Sequence, residues 1–141
     1  DEKRILLIFL LLWERAKGDG SFWNAWYAIL PSEFTTWPYW LKSDISVLES
    51  ALGGIVGYEA VCSWEKSCGR VRRLYEIVCT RVEEGGEEGK KVWDGICSGF
   101  DAFRWADAII SSRAIYVDGE GDCGVVCPLL DLFNHAQNAT T

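Results

Sequence analysis

Trp105-Ala106-Asp107-Ala108-Ile109-Ile110-Ser111-Ser112-Arg113-Ala114 is followed, beyond an acidic glycine-rich turn, by Val126-Cys127-Pro128-Leu129-Leu130-Asp131-Leu132-Phe133-Asn134-His135. These two segments hold the densest polar cluster in an otherwise apolar region. Ser112-Arg113-Ala114 reads as the end of a long helix. Tyr116 and Val117 read as a short strand, Asp118-Gly119-Glu120-Gly121-Asp122 as a hairpin-like turn, and Cys123 to Cys127 as a second strand ended by Pro128. Such a hairpin brings Arg113, Asp131, Asn134 and His135 near one another. Asp131 stands in an apolar run and needs a partner, because an unpaired carboxylate is strongly disfavoured away from water. Residue types alone leave two readings open. One is a capped turn held by an Arg–Asp pair; the other is the rim of a polar pocket.

Working outward, Val92 to Ile115 carries an amphipathic pattern. Trp93, Ile96, Phe100, Phe103, Ala106 or Asp107, and Ile110 trace one face, which predicts a single helix. Glu83 to Lys91, with Gly85, Gly86 and Gly89 among four glutamates, predicts a flexible acidic loop. From about 45 to 82 the steps of three and four return through Ala60, Val61, Trp64, Val71, Leu74, Tyr75, Val78 and Val82. Gly53, Gly54 and Gly57 weaken a helix over Ser46 to Gly57. Residues 3 to 17 predict a helix stopped by Gly18. Ser21 is placed to cap a second short helix ended by Pro31, and a short aromatic helix is expected from Tyr39 to Leu41.

Composition bounds the function. The chain has 141 residues, 49% of them hydrophobic and 25% charged, enough for one domain with a packed core. A net charge of −7 disfavours nucleic acid and suits a basic partner such as a lysine-rich protein tail, or simply solubility. Eight tryptophans supply core anchors and groove or interface residues. Six cysteines (62, 68, 79, 97, 123 and 127) show no zinc spacing, and with one histidine most of them read as small buried hydrophobes in a reducing compartment. No metal is expected. The apolar run Ile5 to Trp13 is too short for a membrane span, which needs about 20 residues, and reads as a buried helix. The glycines near Lys91 lack P-loop spacing, and the acidic turn lacks an EF-hand ligand ladder. The sequon Asn138-Ala139-Thr140 matters only in a secreted protein. With no Met anywhere, the chain is expected to be a processed product or a piece of a longer protein.

The opening pair of segments resembles the SET-domain protein methyltransferases, of the branch similar to the RuBisCO large-subunit lysine methyltransferases. There a helix ends in Ser-Arg-Ala and a strand leads through a hydrophobic-Pro-hydrophobic-x-Asp-hydrophobic-x-Asn-His motif. Leu11-Leu12-Trp13-Glu14-Arg15-Ala16-Lys17-Gly18-Asp19-Gly20-Ser21-Phe22-Trp23, then Trp26-Tyr27-Ala28-Ile29-Leu30-Pro31, resembles the family's N-terminal block. The resemblance implies an α+β fold: a partial SET domain, mostly helical because of an inserted helical region, with a short β-hairpin near the C-terminal end. Residues 1–44 would form the N-terminal part of the SET domain, 45–104 the helical insertion, and 105–141 the start of its C-terminal part.

By the same resemblance, Arg113, Asn134 and His135 contact S-adenosylmethionine, and Asp131 lies beside the channel of the acceptor amine. The implied activity is transfer of a methyl group to a lysine of a protein substrate, with histidine as an alternative acceptor. The protein is expected to act as an intracellular monomer, in cytoplasm, nucleus or plastid, on neither nucleic acid nor membrane. The family's Gly-x-Gly-like cofactor loop is expected upstream and its tyrosine downstream; Tyr75 and Tyr116 do not stand at the tyrosine's position. Ala136 replaces the usual Ser after Asn-His. Taken alone, the chain is therefore expected to bind cofactor weakly and to lack turnover. Two other readings are a catalytically silent SET-derived module whose acidic insert docks a basic partner, and a small disulfide-bonded secreted protein.

Overall fold

The computed structural model describes residues 2–115 and 124–128, which are predominantly helical. In chain order the helices are α1 (Glu2–Ala16), α2 (Asn24–Ile29), α3 (Lys42–Leu52), α4 (Gly54–Glu84), α5 (Gly86–Ile96) and α6 (Phe100–Arg113). Two short strands follow, β1 (Ala114–Ile115) and β2 (Val125–Val126). This is the expected helical body with a small hairpin. Among the described residues, no helix is long and apolar enough to cross a membrane.

Helix α1 forms where Ile8, Leu11 and Leu12 fall on one face and are buried. Glu2 in its first turn and Arg15 in its last oppose the helix dipole favourably. Gly18, at φ 53°, ends it in a conformation that glycine adopts without strain. Ser21 turns back on this helix: its hydroxyl donates to Glu14 Oε2 (2.7 Å) and accepts from the Trp23 amide (3.1 Å). It therefore holds the entry to α2 rather than occupying the cap position itself. The aromatic helix expected at Tyr39–Leu41 is a 3-10 turn over Trp37–Tyr39.

The long helix α4 is the spine. Its N-terminal half packs against α3, its middle against the Trp37–Tyr39 turn and α6, and its C-terminal half against α5. Helices α1 and α6 cross over the same core. Phe103, Ile8, Leu12, Leu74, Ile109, Ile110 and Val71 are all fully buried there. Phe103 touches Tyr75 edge-on, with ring centroids 5.4 Å apart, and lies 6.5 Å from Trp93.

Two expectations are corrected. The segment Val92 to Ile115 is not one helix. It breaks at Cys97-Ser98-Gly99, where Gly99 takes φ 114° and only then does α6 begin. The apolar rhythm runs through the break because Cys97 is itself buried. Glu83 to Lys91 is not a loop: α4 continues to Glu84, the chain reverses at Gly85-Gly86, and α5 starts at once. A Cβ at Gly89 would sit 2.9 Å from the Val82 carbonyl oxygen, so this glycine permits a close helix approach. Tertiary packing there outweighs the weak intrinsic propensity of glycine. Among the described residues the first strand is Ala114–Ile115, two residues that the pattern assigned to the helix end. Tyr116, Val117, the 118–122 turn, Cys123 and the 138–140 sequon lie outside the described residues. Cys62, Cys68, Cys79, Cys97 and Cys127 are free thiols.

Candidate functional site

Strand β1 leaves α6 without a loop, since Ala114 is both the last cap of the helix and the first residue of the ladder. It pairs antiparallel with β2 in the register Ala114↔Val126 and Ile115↔Val125. Gly124 makes this possible. Its φ is 66°, and a Cβ there would lie 2.9 Å from the Ile115 carbonyl oxygen. The chain that runs into Cys127-Pro128 is thereby folded back on the end of α6 that bears Arg113.

Arg113 is half-buried in the last turn of α6, where the helix dipole favours a cation. A half-buried guanidinium in that position suits a carboxylate, which it can meet with two parallel hydrogen bonds. Of the four site residues named from the sequence, Arg113 is the one within the described region. Asp131, Asn134 and His135 lie outside it.

The N-terminal block and the Trp105 helix meet. The Trp105 indole N–H donates to the Pro31 carbonyl at 2.9 Å, and the Arg15 guanidinium lies 4.1 Å above the Trp105 ring. Glu14 accepts from Ser21 and pairs with Lys17. The Lys17 contact, then the Ser21 bond, hold its carboxyl below the usual carboxylate range. Tyr27 donates to the Leu11 carbonyl at 2.9 Å. Burial, chiefly, pushes its phenol well above the ordinary tyrosine range. The residues that carry the N-terminal resemblance thus seat the start of α6.

Sequence reasoning missed the most heavily bonded side chain of α6. Asp107 is 1% exposed and takes two guanidinia. Arg70, from α4, meets both carboxylate oxygens at 3.0 Å. Arg4, from α1, donates through Nε to Oδ1 at 2.6 Å and through Nη2 to the Asp107 carbonyl at 3.1 Å. Arg4 Nη2 also donates to the Ser111 hydroxyl. The signal was present: Asp107 sits among Ala106, Ala108, Ile109 and Ile110, and the argument applied to Asp131 holds for it equally. Its partners stand 103 and 37 residues away, and no local pattern points to them.

A wide apolar groove of about 1070 Å³ lies elsewhere, between α1, α4 and α5, with Ile5, Phe9, Val82, Val92 and Trp93 among its walls. Neither α6 nor the hairpin lines it.

No family model matches the chain, and no solved structure matches it. Curated relatives do. The chain is 26% identical over 143 aligned residues to SET domain-containing protein 4 of Artemia parthenogenetica, an alignment covering 96% of this chain and 32% of that protein. It is 24% identical to the actin-histidine N-methyltransferase of Mus musculus and 25% identical to that of Xenopus tropicalis, each alignment covering 97% of the chain and 22% of the relative. None of these names carries the RuBisCO-methyltransferase branch. At low identity, but along nearly all of its length, the chain is similar to SET-type methyltransferases, and it spans a third or less of the length of these relatives.

Proposed function

We propose that this chain is part of a SET-type protein methyltransferase that moves a methyl group from S-adenosylmethionine to a side-chain nitrogen of a protein substrate inside the cell. The observation that carries the reading is the register Ala114↔Val126 and Ile115↔Val125, which seats the root of the Pro128 segment on the Arg113 end of α6. It is supported by the likeness to SET-domain and methyltransferase relatives.

S-adenosylmethionine supplies an electrophilic methyl group on a sulfonium. Arg113 would hold the cofactor's carboxylate with its guanidinium fork. Asn134 and His135 match the family's cofactor motif and would contact it partly through backbone groups. Asp131 would orient the cationic acceptor before that group loses its proton. The protein's contribution is alignment and a narrow dry channel rather than covalent participation.

The motifs favour lysine as acceptor and the RuBisCO-methyltransferase-like branch. Histidine is the competing acceptor, favoured by two relatives named for histidine methylation of actin. A catalytically silent module for a basic partner is the alternative from another class. It is favoured by the exposed Glu83, Glu84, Glu87 and Glu88 where α4 turns into α5.

The test incubates the full protein carrying this chain with methyl-labelled S-adenosylmethionine and candidate proteins, actin included. Mass spectrometry then locates the label. Label on lysine supports the first reading, and label on histidine moves the acceptor. Tight cofactor-independent capture of basic proteins with no transfer would sink the enzyme and favour the silent module.

A further inference from the structure

We propose that Arg4, Asp107 and Arg70 form a positioning clamp that sets the rotation of α6, and through it the placement of Arg113 and the hairpin; this inference rests on the methyltransferase reading for its functional meaning. The three residues come from three helices that are distant in sequence. Asp107 is 1% exposed, and its carboxylate accepts from both guanidinia. A buried ion group of this kind is a weak source of stability, since apolar side chains of similar volume often serve as well or better. What it supplies is direction. The apolar contacts of Phe103, Ala106, Ile109 and Ile110 hold α6 in the core, and the Trp105 bond to Pro31 seats its first half, but hydrophobic burial is itself non-directional. Hydrogen bonds from α1 and α4 fix the direction of its second half, which carries Arg113.

Arg4 reaches past the carboxylate. It also donates to the Asp107 carbonyl and to the hydroxyl of Ser111, one turn further on. Ser112 closes the same turn by donating to the Ala108 carbonyl at 2.8 Å. Asp107 and Ser111 share one helix face, and Arg113 lies about 120° around the axis from Asp107 at 100° per residue. Fixing the rotation at Asp107 therefore fixes where the backbone of Arg113 sits. It also fixes where Ala114 enters its ladder with Val126. Arg4, Asp107 and Arg70 act on Arg113 through the helix that they hold, so they are positioning residues.

Two variants of the full protein test this. Asp107→Asn keeps the shape and removes the charge. Arg70→Lys keeps the charge and removes the two-pronged bond. Three measurements are made on each: helix content by circular dichroism, hydrogen exchange across residues 109–128, and S-adenosylmethionine affinity by calorimetry. The expected result is unchanged helix content, faster exchange across the hairpin, and cofactor affinity lower by about fivefold, the scale of a coupling lost at a distance. If Asp107→Asn fails to fold, Arg70→Lys decides alone. Hairpin exchange equal to the parent's in a folded variant overturns the clamp. So does exchange that rises equally across every helix, which would mark a purely structural tie. If the parent protein binds no S-adenosylmethionine, the methyltransferase reading falls, and the exchange data still decide whether the clamp positions the hairpin.

Discussion

Asp107 and Arg70 meet through two parallel N–H···O bonds, each 3.0 Å long, that join α6 to α4. The Asp107 side chain is 2% exposed and that of Arg70 is 34% exposed, so one partner is fully desolvated and the other is not. The pair is asymmetric for that reason. Loss of Arg70 leaves Asp107 with Arg4, whereas loss of Asp107 takes from both guanidinia the carboxylate that they share.

The core beneath that pair is set by Phe103, which is fully buried against Tyr75 and Trp93. Phe103→Ala removes a ring that three helices share. Urea denaturation followed by circular dichroism should show a loss of about 3–5 kcal/mol, the range for a large core aromatic cut to alanine. A loss below about 1 kcal/mol would mean that the site collapses and refills, and that α5 and α6 are not packed as described.

Gly124 is the hinge on which the hairpin depends. Gly124→Ala places a Cβ at 2.9 Å from the Ile115 carbonyl and asks an L-residue to hold φ 66°. The helices should keep their circular dichroism signal and melting temperature, while amide exchange in the 109–128 region accelerates. Exchange identical to the parent's would show that the chain tolerates a side chain there, and that this tight approach does not set the register.

Arg113→Ala tests the cofactor assignment directly. A charged hydrogen-bonding group lost from a ligand carboxylate costs about 1.5–3 kcal/mol, so the S-adenosylmethionine dissociation constant of the full protein should rise about tenfold or more. Unchanged affinity would remove Arg113 from the site.

Alkaline pH should loosen the fold. Burial, first, and a hydrogen bond with Cys79 push the Tyr75 phenol up to about 12 from an ordinary value of 10.0. Burial likewise raises the Cys97 thiol. Both groups have higher values folded than unfolded, so the folded state holds their protons more tightly. Their contribution is complete below the unfolded values and is lost as pH climbs through the folded ones. The urea midpoint should therefore fall from about pH 9 toward pH 12. Tyr75→Phe should lessen the upper part of that fall, and the Tyr27 phenol, raised chiefly by burial, should carry what remains. A midpoint that stays level across this range would contradict the partial burial of Tyr75 and the burial of Cys97.

Local chemistry made much of the molecule legible. The apolar run Ile5 to Trp13 marks α1, although only one face of it is buried, through Ile8, Leu11 and Leu12, while Leu6, Leu10 and Trp13 are exposed; Gly18 marks its end, Pro31 the end of α2, and Ser112-Arg113-Ala114 the end of α6. Each is a short-range signal: a periodicity, a positive-φ glycine, a missing amide. The Gly-rich stretch at 83–91 misled because glycine lowers helix propensity only modestly. Packing of Trp93 in the core and the close approach of Gly89 to Val82 compensate for that cost. The break at Gly99 was hidden because apolar residues continue in phase on both sides of it.

The order of its residues alone marked the helical body and the neighbourhood of the hairpin, and it singled out Arg113 as a candidate. Those features rest on neighbours within a few positions, or on a motif read in line. Only the tertiary structure decided that Asp107 draws Arg4 and Arg70 together, that Pro31 receives the Trp105 indole, and that Val126 pairs with Ala114. Desolvation is the reason: a buried charge or N–H must find a partner wherever the fold brings one, and separation along the chain does not say where that will be.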